Sequence, residues 1–379
     1  MLRKKNLLRI GYLSYDLVKD HPVAHVIPQV IELHDRARVE IFFYSMGRDD
    51  GSAIRQRVAD ACEHFVDIGS LGMESTAARI AQDNIDILVD LQGWTTGCRP
   101  AALARRGAPI QASWVGYAGT MGLGRLADYL IADPIVIPDA HADFFVERIA
   151  RLPHCYLPMD STQTIAEAPS RVEAGLPEDA FVFCSMNNRY KFNPQVFDVW
   201  CRLLNQTAGS CLWLKHPNGV AADNLVREAV ARGVSAERII FASFAASRAD
   251  HLARLQLADV ALDPSPYNSH SSGIDTLWAG VPMVTLLGDT FAGRVGASLV
   301  TAAGLPECVT HSWDAYLDLC LDLYKNPQRL QELRARLRAG RRTAPLFDMK
   351  PFVHSLEDLY FAMWAESQNT AIASNELMR

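Results

Sequence analysis

The chain has 379 residues, enough for two domains of ordinary size. A hydrophobic content of 49% and a charged content of 21% are those of a soluble globular protein, and a net charge of −6 gives no case for a nucleic-acid partner. Eight cysteines, at 62, 98, 155, 184, 201, 211, 308 and 320, are scattered singly without a CxxC, which argues against a disulfide framework or zinc site and for reduced core cysteines. Met1 to Lys5 resembles the start of a signal peptide, but Arg9 and Asp16 break the apolar run that follows. No stretch approaches the roughly 18 apolar residues of a membrane span. A cytoplasmic protein is expected.

Leu7 to Ser14 reads as the first strand, followed by a loop with Asp16, Lys19, Asp20, His21, Pro22 and His25. Val26, Ile27, Val30, Ile31 and Leu33 then keep a helical spacing, and Val39 to Ser45 is the next strand. Ile54 to Cys62 and Ser75 to Gln82 are amphipathic helices around a short strand, Phe65 to Ile68. Ile85 to Leu91 is a buried strand ending in Gln92-Gly93-Trp94. Ile110 to Val115 is another, ending in Gly116-Tyr117-Ala118-Gly119-Thr120-Met121-Gly122. Tyr129 to Ala132 closes this half. Strand–helix alternation of this kind predicts a parallel sheet wrapped by helices.

Leu157 to Pro177, with weak periodicity, reads as a linker, and a second alternating set follows. Its strands are Phe181 to Cys184, Cys211 to Lys215, Ile239 to Phe241 and Val260 to Asp263. Its helices are Pro194 to Leu204, Ala222 to Ala231 and Arg248 to Leu257. After Asp263 comes Pro264-Ser265-Pro266-Tyr267-Asn268-Ser269-His270, then a helix with Ile274, Leu277 and Trp278 on its apolar stripe, closed by Gly280. Ser271 or Ser272 is the expected N-cap. Pro282 to Leu286 is a further strand, with helices at about 294–303, 313–324 and 328–342. Met349 to Trp364 is a last helix, expected to pack back on the first half, and a polar, frayed tail follows. The expected layout is 1–165, 166–345, a C-terminal helix at 346–367 and a flexible tail at 368–379.

Two doubly wound α/β halves without GxGxxG argue against a standard dinucleotide enzyme. They predict two Rossmann-like domains facing a cleft, the GT-B architecture, which binding proteins also use. In such a unit the loop after a strand and the first turn of the next helix offer free N–H groups and a helix dipole to an anion. His270, Ser271, Ser272 and Asp275 occupy that place after Val260 to Asp263. An ordinary capped crossover helix would leave the same trace. Lys191, in Ser185-Met186-Asn187-Asn188-Arg189-Tyr190-Lys191, is placed to offer a mobile ammonium to phosphate, and Asn188 to pair with base or phosphate; a solvated lysine is the plain alternative. Arg248, His251 and Arg254 share one face of a helix, as a surface basic stripe also would. His21 follows the first strand, where an imidazole can move a proton near neutral pH or merely satisfy backbone around Pro22. The glycine-rich turn lets backbone approach a ligand, and Val115 and Gly116 are counted with the donor-binding residues.

Arg9-Ile10-Gly11-Tyr12-Leu13-Ser14, His21-Pro22, Asp49-Asp50-Gly51, Ile87-Leu88-Val89-Asp90-Leu91 with Gly93-Trp94, and Ala108-Pro109-Ile110-Gln111 form an ordered series of motifs. It continues through Gly116-Tyr117, Gly119-Thr120, Tyr190-Lys191, Leu257-Ala258-Asp259 and His270-Ser271-Ser272 with Asp275. From Arg9 to Trp364 the series resembles the catalytic region of the O-linked N-acetylglucosamine transferase family, bacterial members and plant Spindly proteins included.

The resemblance implies a GT-B fold and metal-independent, inverting transfer of GlcNAc from UDP-GlcNAc to protein Ser or Thr. It puts His21 on a histidine proposed as base, Lys191 on the diphosphate and Asn188 beside uridine. It puts Arg248 where the family often has a uracil-stacking lysine, and His251 and Arg254 by the nucleotide. His270, Ser271 and Ser272 fall on phosphate and sugar, and Asp275 on the ribose. Ala118 and Met121 depart from the family's proline and serine. The tetratricopeptide repeats that usually precede this region are absent from the chain, so a stand-alone enzyme and a fragment both stay open. Other readings are a relative using UDP-glucose or GDP-fucose, a nucleotide-sugar epimerase, and a silent nucleotide-sugar sensor.

Overall fold

The computed structural model describes residues 7–377 apart from 20, 123 and 218, with side chains to 369. The basic start Met1 to Lys5 and Asp20 of the first loop lie outside the described residues. The chain divides into two compact units, one of Met1–Ser161 with Asp348–Arg379, the other of Thr162–Phe347.

The first unit is a parallel sheet of β1 (Leu8–Ser14), β2 (Val39–Ser45), β3 (His64–Asp67), β4 (Ile87–Asp90), β5 (Ile110–Ser113), β6 (Tyr129–Ala132) and β7 (Arg148–Arg151). The strand order is β3-β2-β1-β4-β5-β6-β7. All of β1, β4, β5 and β6 is buried, which is why these strands read as continuous runs rather than alternating ones. Sequence analysis closed this half at Tyr129 to Ala132. The structure adds β7, whose Arg-Ile-Ala-Arg sequence has an arginine at each end, as suits an edge strand, and carries little apolar signal. The helical spacing from Val26 to Leu33 is split in two, Pro22–Val26 and Pro28–Leu33, because Pro28 has no N–H to continue the first helix.

The last helix, Met349–Leu377, belongs to this unit. It packs on the Pro28–Leu33 helix and on β5. Glu357 bonds His34 Nδ1 at 2.9 Å, Tyr360 and Tyr12 share a hydrogen bond of 3.0 Å, and Phe352 stacks on Trp114. Where sequence analysis expected a frayed tail from 368, the helix runs on to Leu377. The residues there, Ala371-Ile372-Ala373-Ser374-Asn375-Glu376-Leu377, contain no glycine or proline to stop it.

The second unit repeats the plan with β8 (Phe181–Ser185), β9 (Ser210–Lys215), β10 (Ile239–Ala242), β11 (Val260–Leu262), β12 (Met283–Leu286) and β13 (Val309–Thr310), in the order β10-β9-β8-β11-β12-β13. β13 is only two residues long and was not expected. In each sheet the order reverses beside one central pair, β1 with β4 and β8 with β11. Loops leaving the carboxyl ends of such a pair diverge to opposite faces, so a crevice opens there and ligands bind in it. His21 and Gln92 follow β1 and β4. Lys191 and His270 follow β8 and β11.

Candidate active site

In the second unit the loop after β11 is built on two buried polar residues. Asp263 accepts from Ser269 N at 2.7 Å and from Thr285 Oγ1 at 2.6 Å, and burial pushes its carboxyl up to about 6 against those bonds. Asn268 donates to the Pro264 carbonyl at 2.8 Å, and its Oδ1 accepts from Gly296 N at 3.1 Å. The Asn268 carbonyl is thereby aimed at two groups. It accepts from Lys191 Nζ at 3.0 Å and lies 3.1 Å from His270 Nδ1. A carbonyl only accepts, so Nδ1 of His270 carries the proton and Nε2 keeps its lone pair. Burial, and then the Lys191 charge, hold this imidazole neutral, down to about 3. Among the described residues, Nε2 is buried without a protein partner. His270 therefore offers an acceptor to a hydroxyl or amide N–H.

The following helix, Ser271–Trp278, starts one residue earlier than a serine cap would allow. The cap position falls on His270, with φ −111° and ψ −104° and no side-chain cap bond. The serines are used otherwise. Ser272 Oγ donates to Asn187 Oδ1 at 2.6 Å, and Asn187 Nδ2 donates to Ser269 Oγ at 2.8 Å, tying the β8 loop to the β11 loop. Ser271 and Ser272 contribute first-turn N–H groups that have no partner within the helix.

Lys191 is not the mobile ammonium that the sequence suggested. A short 3-10 turn, Arg189–Lys191, precedes the helix Pro194–Gln206 and turns the side chain inward. It is 9% exposed, with Nζ 4.5 Å from the Tyr267 ring centroid. Burial lowers the ammonium to about 8, with Asp263 opposing and Lys215 adding to the fall. Asn188 stands apart on the surface, accepting from Lys215 Nζ at 2.9 Å.

Arg248, His251, Arg254 and Asp275 form a second group in this unit. Arg248 grips both oxygens of buried Asp275, Nη1 to Oδ2 at 2.7 Å and Nη2 to Oδ1, while its Nε donates to Gln163 Oε1 at 2.8 Å. His251 Nδ1 accepts from Arg254 Nη2 at 2.9 Å, which leaves its proton on Nε2, 3.6 Å from Asp275 Oδ2. Burial would raise the Asp275 carboxyl, but Arg248 and His251 outweigh it and hold it below the usual range. The surface-stripe alternative fails for Arg248, whose partner is buried.

In the first unit, His21 caps the Pro22–Val26 helix, its Nδ1 accepting from Val23 N at 3.3 Å. Its Nε2 lies 3.6 Å from Asp16 Oδ1. Asp16 Oδ2 accepts from Gln92 Nε2 at 2.7 Å, and the Gln92 oxygen accepts from Tyr15 N at 2.9 Å. Burial raises the Asp16 carboxyl and lowers the His21 imidazole, each charge opposing that trend in the other. Val115 has φ +67° and sits at the centre of a γ-turn in which Gly116 N bonds the Trp114 carbonyl at 2.8 Å. That conformation is strained for a β-branched residue. Gly116 is required because a Cβ there would lie 2.1 Å from the Leu91 carbonyl oxygen, directly behind Gln92.

Sequence analysis thus missed Asn187, Asn268, Gln163 and Gln92 as site-building residues. The one available signal was amides clustered in strand-end loops, and amides there are too common to single out. Among the described residues no group of three His, Cys, Asp or Glu side chains is arranged to hold a metal ion, and no helix is long and apolar enough to cross a membrane.

Over 364 residues, 94% of its length, the chain is 39% identical to an Arabidopsis thaliana protein, probable UDP-N-acetylglucosamine–peptide N-acetylglucosaminyltransferase SEC, of which it spans 37%. A solved mutant of the Thermobaculum terrenum O-GlcNAc transferase superposes with a TM-score of 0.88 at 34% identity, covering 97% of this chain and 69% of that one. Sucrose-phosphate synthase from Thermosynechococcus elongatus shares the fold alone, with a TM-score of 0.59 at 16% identity over 95% of this chain and all of that one. The two sheets are the two Rossmann-like halves of the GT-B fold. The profile of glycosyl transferase family 41 matches residues 1–172 and 165–356, and the chain belongs to that family.

Proposed function

We propose that the chain is an inverting, metal-independent glycosyltransferase that moves GlcNAc from UDP-GlcNAc to Ser or Thr hydroxyls of protein. The observation that carries this reading is the convergence, at the sheet reversal of the second unit, of a buried lysine, a helix N-terminus and a neutral imidazole acceptor around the Asn268 loop. The names of the Arabidopsis and Thermobaculum relatives support the donor and the peptide acceptor.

In this reading the diphosphate lies against Lys191 and the N–H groups of Ser271 and Ser272. As the glycosidic bond breaks, negative charge grows on the leaving UDP. A desolvated ammonium and an oriented helix N-terminus stabilise that charge more in the transition state than in the ground state. His270 Nε2, an acceptor, suits a sugar hydroxyl or the acetamido N–H rather than a phosphate oxygen. Asp275 takes the ribose, with Arg248, His251 and Arg254 on the nucleotide side and Asn188 beside the base. With cationic and N–H groups facing the diphosphate, no metal is needed to neutralise it. His21 is read as a positioning group, because Val23 N–H occupies its Nδ1. A cytoplasmic location belongs to the same proposal.

The test is transfer of labelled GlcNAc from UDP-GlcNAc to a Ser/Thr peptide pool, run alongside release of free UDP without peptide, each with and without EDTA. Peptide labelling that survives EDTA is expected. UDP release with no peptide labelling points to an epimerase, and labelling only from UDP-glucose or GDP-fucose points to another donor. Activity that disappears in EDTA and returns with Mg²⁺ or Mn²⁺ removes metal independence.

A further inference from the structure

Neutral His21 has both ring nitrogens committed. Nδ1 accepts from Val23 N–H at 3.3 Å, so the ring proton sits on Nε2, and Nε2 faces Asp16 Oδ1 at 3.6 Å. A ring so arranged has no lone pair left for the proton of an incoming hydroxyl. The carboxylate beside it does. Asp16 Oδ2 is held by Gln92 Nε2 at 2.7 Å, and the orientation of that amide is fixed because its oxygen must take Tyr15 N–H at 2.9 Å. Thr95 Oγ1 and the Thr96 carbonyl bind the same amide nitrogen at 2.6 and 2.7 Å. Asp16 N donates to Ser14 Oγ at 3.0 Å at the end of β1, which holds the backbone that carries the carboxylate. Among the described residues Oδ1 is left with the His21 contact, which is longer than a hydrogen bond.

The geometry points to Asp16 Oδ1 as the atom that takes the proton of the acceptor hydroxyl, with His21 and Gln92 as its positioning residues. The inference rests on the transferase reading above. In the step, the hydroxyl oxygen bonds to C1 of the sugar and the C1–O bond to the β-phosphate breaks, its electron pair leaving on UDP. The hydroxyl proton passes to Oδ1 and is later lost to water. His21 Nε2–H steadies the carboxylate and orients Oδ1. Among the described residues, His21, Gln92 and the carboxylate of Asp90 at the end of β4 act on Asp16. Asp90 accepts from Gln92 N at 3.1 Å and Gly93 N at 2.9 Å and is itself pushed up to about 6 by burial. Burial raises the Asp16 carboxyl too, towards the pH at which a base is most effective.

The experiment measures kcat, KM and pH profiles with UDP-GlcNAc and peptide, together with UDP affinity by calorimetry, for wild type, Asp16→Asn, His21→Ala and Gln92→Met. Asp16→Asn is expected to lose about a hundredfold or more in kcat, with unchanged UDP affinity and no acidic limb. His21→Ala keeps the acidic limb, displaced to higher pH because the Nε2–H dipole that favours the carboxylate is gone. Gln92→Met, should Asp16→Asn not fold, loses a donor to the carboxylate and also moves the acidic limb up, which a merely structural loss would not do. Near-normal kcat in a folded Asp16→Asn, or an acidic limb that vanishes in His21→Ala, overturns the assignment while leaving the transferase reading intact. A wild-type chain with no UDP affinity and no transfer overturns both.

Discussion

Replacing Lys191 by methionine should abolish transfer and at the same time stabilise the free protein. Folding carries the ammonium from an ordinary value of 10.5 to about 8, chiefly by burial. At neutral pH the charged lysine therefore opposes folding by about 3 kcal/mol. Methionine fills a similar unbranched volume without a charge. Against that gain stand one hydrogen bond to the Asn268 carbonyl, about 1 kcal/mol, and a cation–π contact with Tyr267, somewhat less. The carbonyl is not orphaned, because His270 Nδ1–H still donates to it. The net is a stabilisation of about 1–2 kcal/mol, or roughly 3–6 °C in Tm for a unit of this size.

The gap has a pH signature. The lysine's cost is fully present below its folded value and disappears as pH rises from about 8 towards 10.5, where the folded state has lost the proton and the unfolded state still holds it. Scanning calorimetry without nucleotide, at pH 7 and near pH 10, is the assay. Lys191→Met should melt higher at pH 7, and the difference should shrink at pH 10. Adding UDP should raise the wild-type Tm by mass action and the variant far less. A variant that melts below wild type at pH 7, or a gap that ignores pH, would refute the reasoning from burial.

Arg248→Ala leaves the Asp275 carboxylate buried with His251 as its remaining ion-pair partner among the described residues, and should cost about 2 kcal/mol, less than a fully buried pair because Arg248 is part-exposed. Asp275 lies below its usual range when folded, so the loss is full above about pH 4 and fades as pH falls through the folded value; urea titrations at several pH values check this. Gly296→Ala places a Cβ 2.0 Å from Asp263 Oδ2 and 2.3 Å from Thr285 Oγ1. It should cost about 3 kcal/mol by overpacking and weaken UDP binding through the Asn268 bond to Gly296 N, and a variant with wild-type urea midpoint and UDP affinity would count against that anchor.

Much of the fold is legible because buried parallel strands announce themselves as apolar runs. Val39 to Ser45 and Tyr129 to Ala132 are read to the residue. Arg148–Arg151 and Val309–Thr310 are not, since an edge strand with arginines at both ends, or one of two residues, has no period to detect. Local chemistry also misleads where a residue has a distant partner. Ser272 looks like a cap, yet its hydroxyl reaches Asn187, 85 positions away.

By itself the sequence determined the alternation of strand and helix, the loops that end the strands, and the residue types those loops offer, because each depends on neighbours within a turn or two. The protonation and orientation of those residues were decided only in the tertiary structure. Lys191 looks exposed in its own loop and is buried by Tyr267 and Asn268 from another. His270 looks like a donor until the Asn268 carbonyl fixes its proton on Nδ1, and Asp275 looks free until Arg248 from the preceding helix takes both its oxygens. Charge state and hydrogen-bond direction depend on burial and on partners that the strand order brings together, and neither is encoded within one loop.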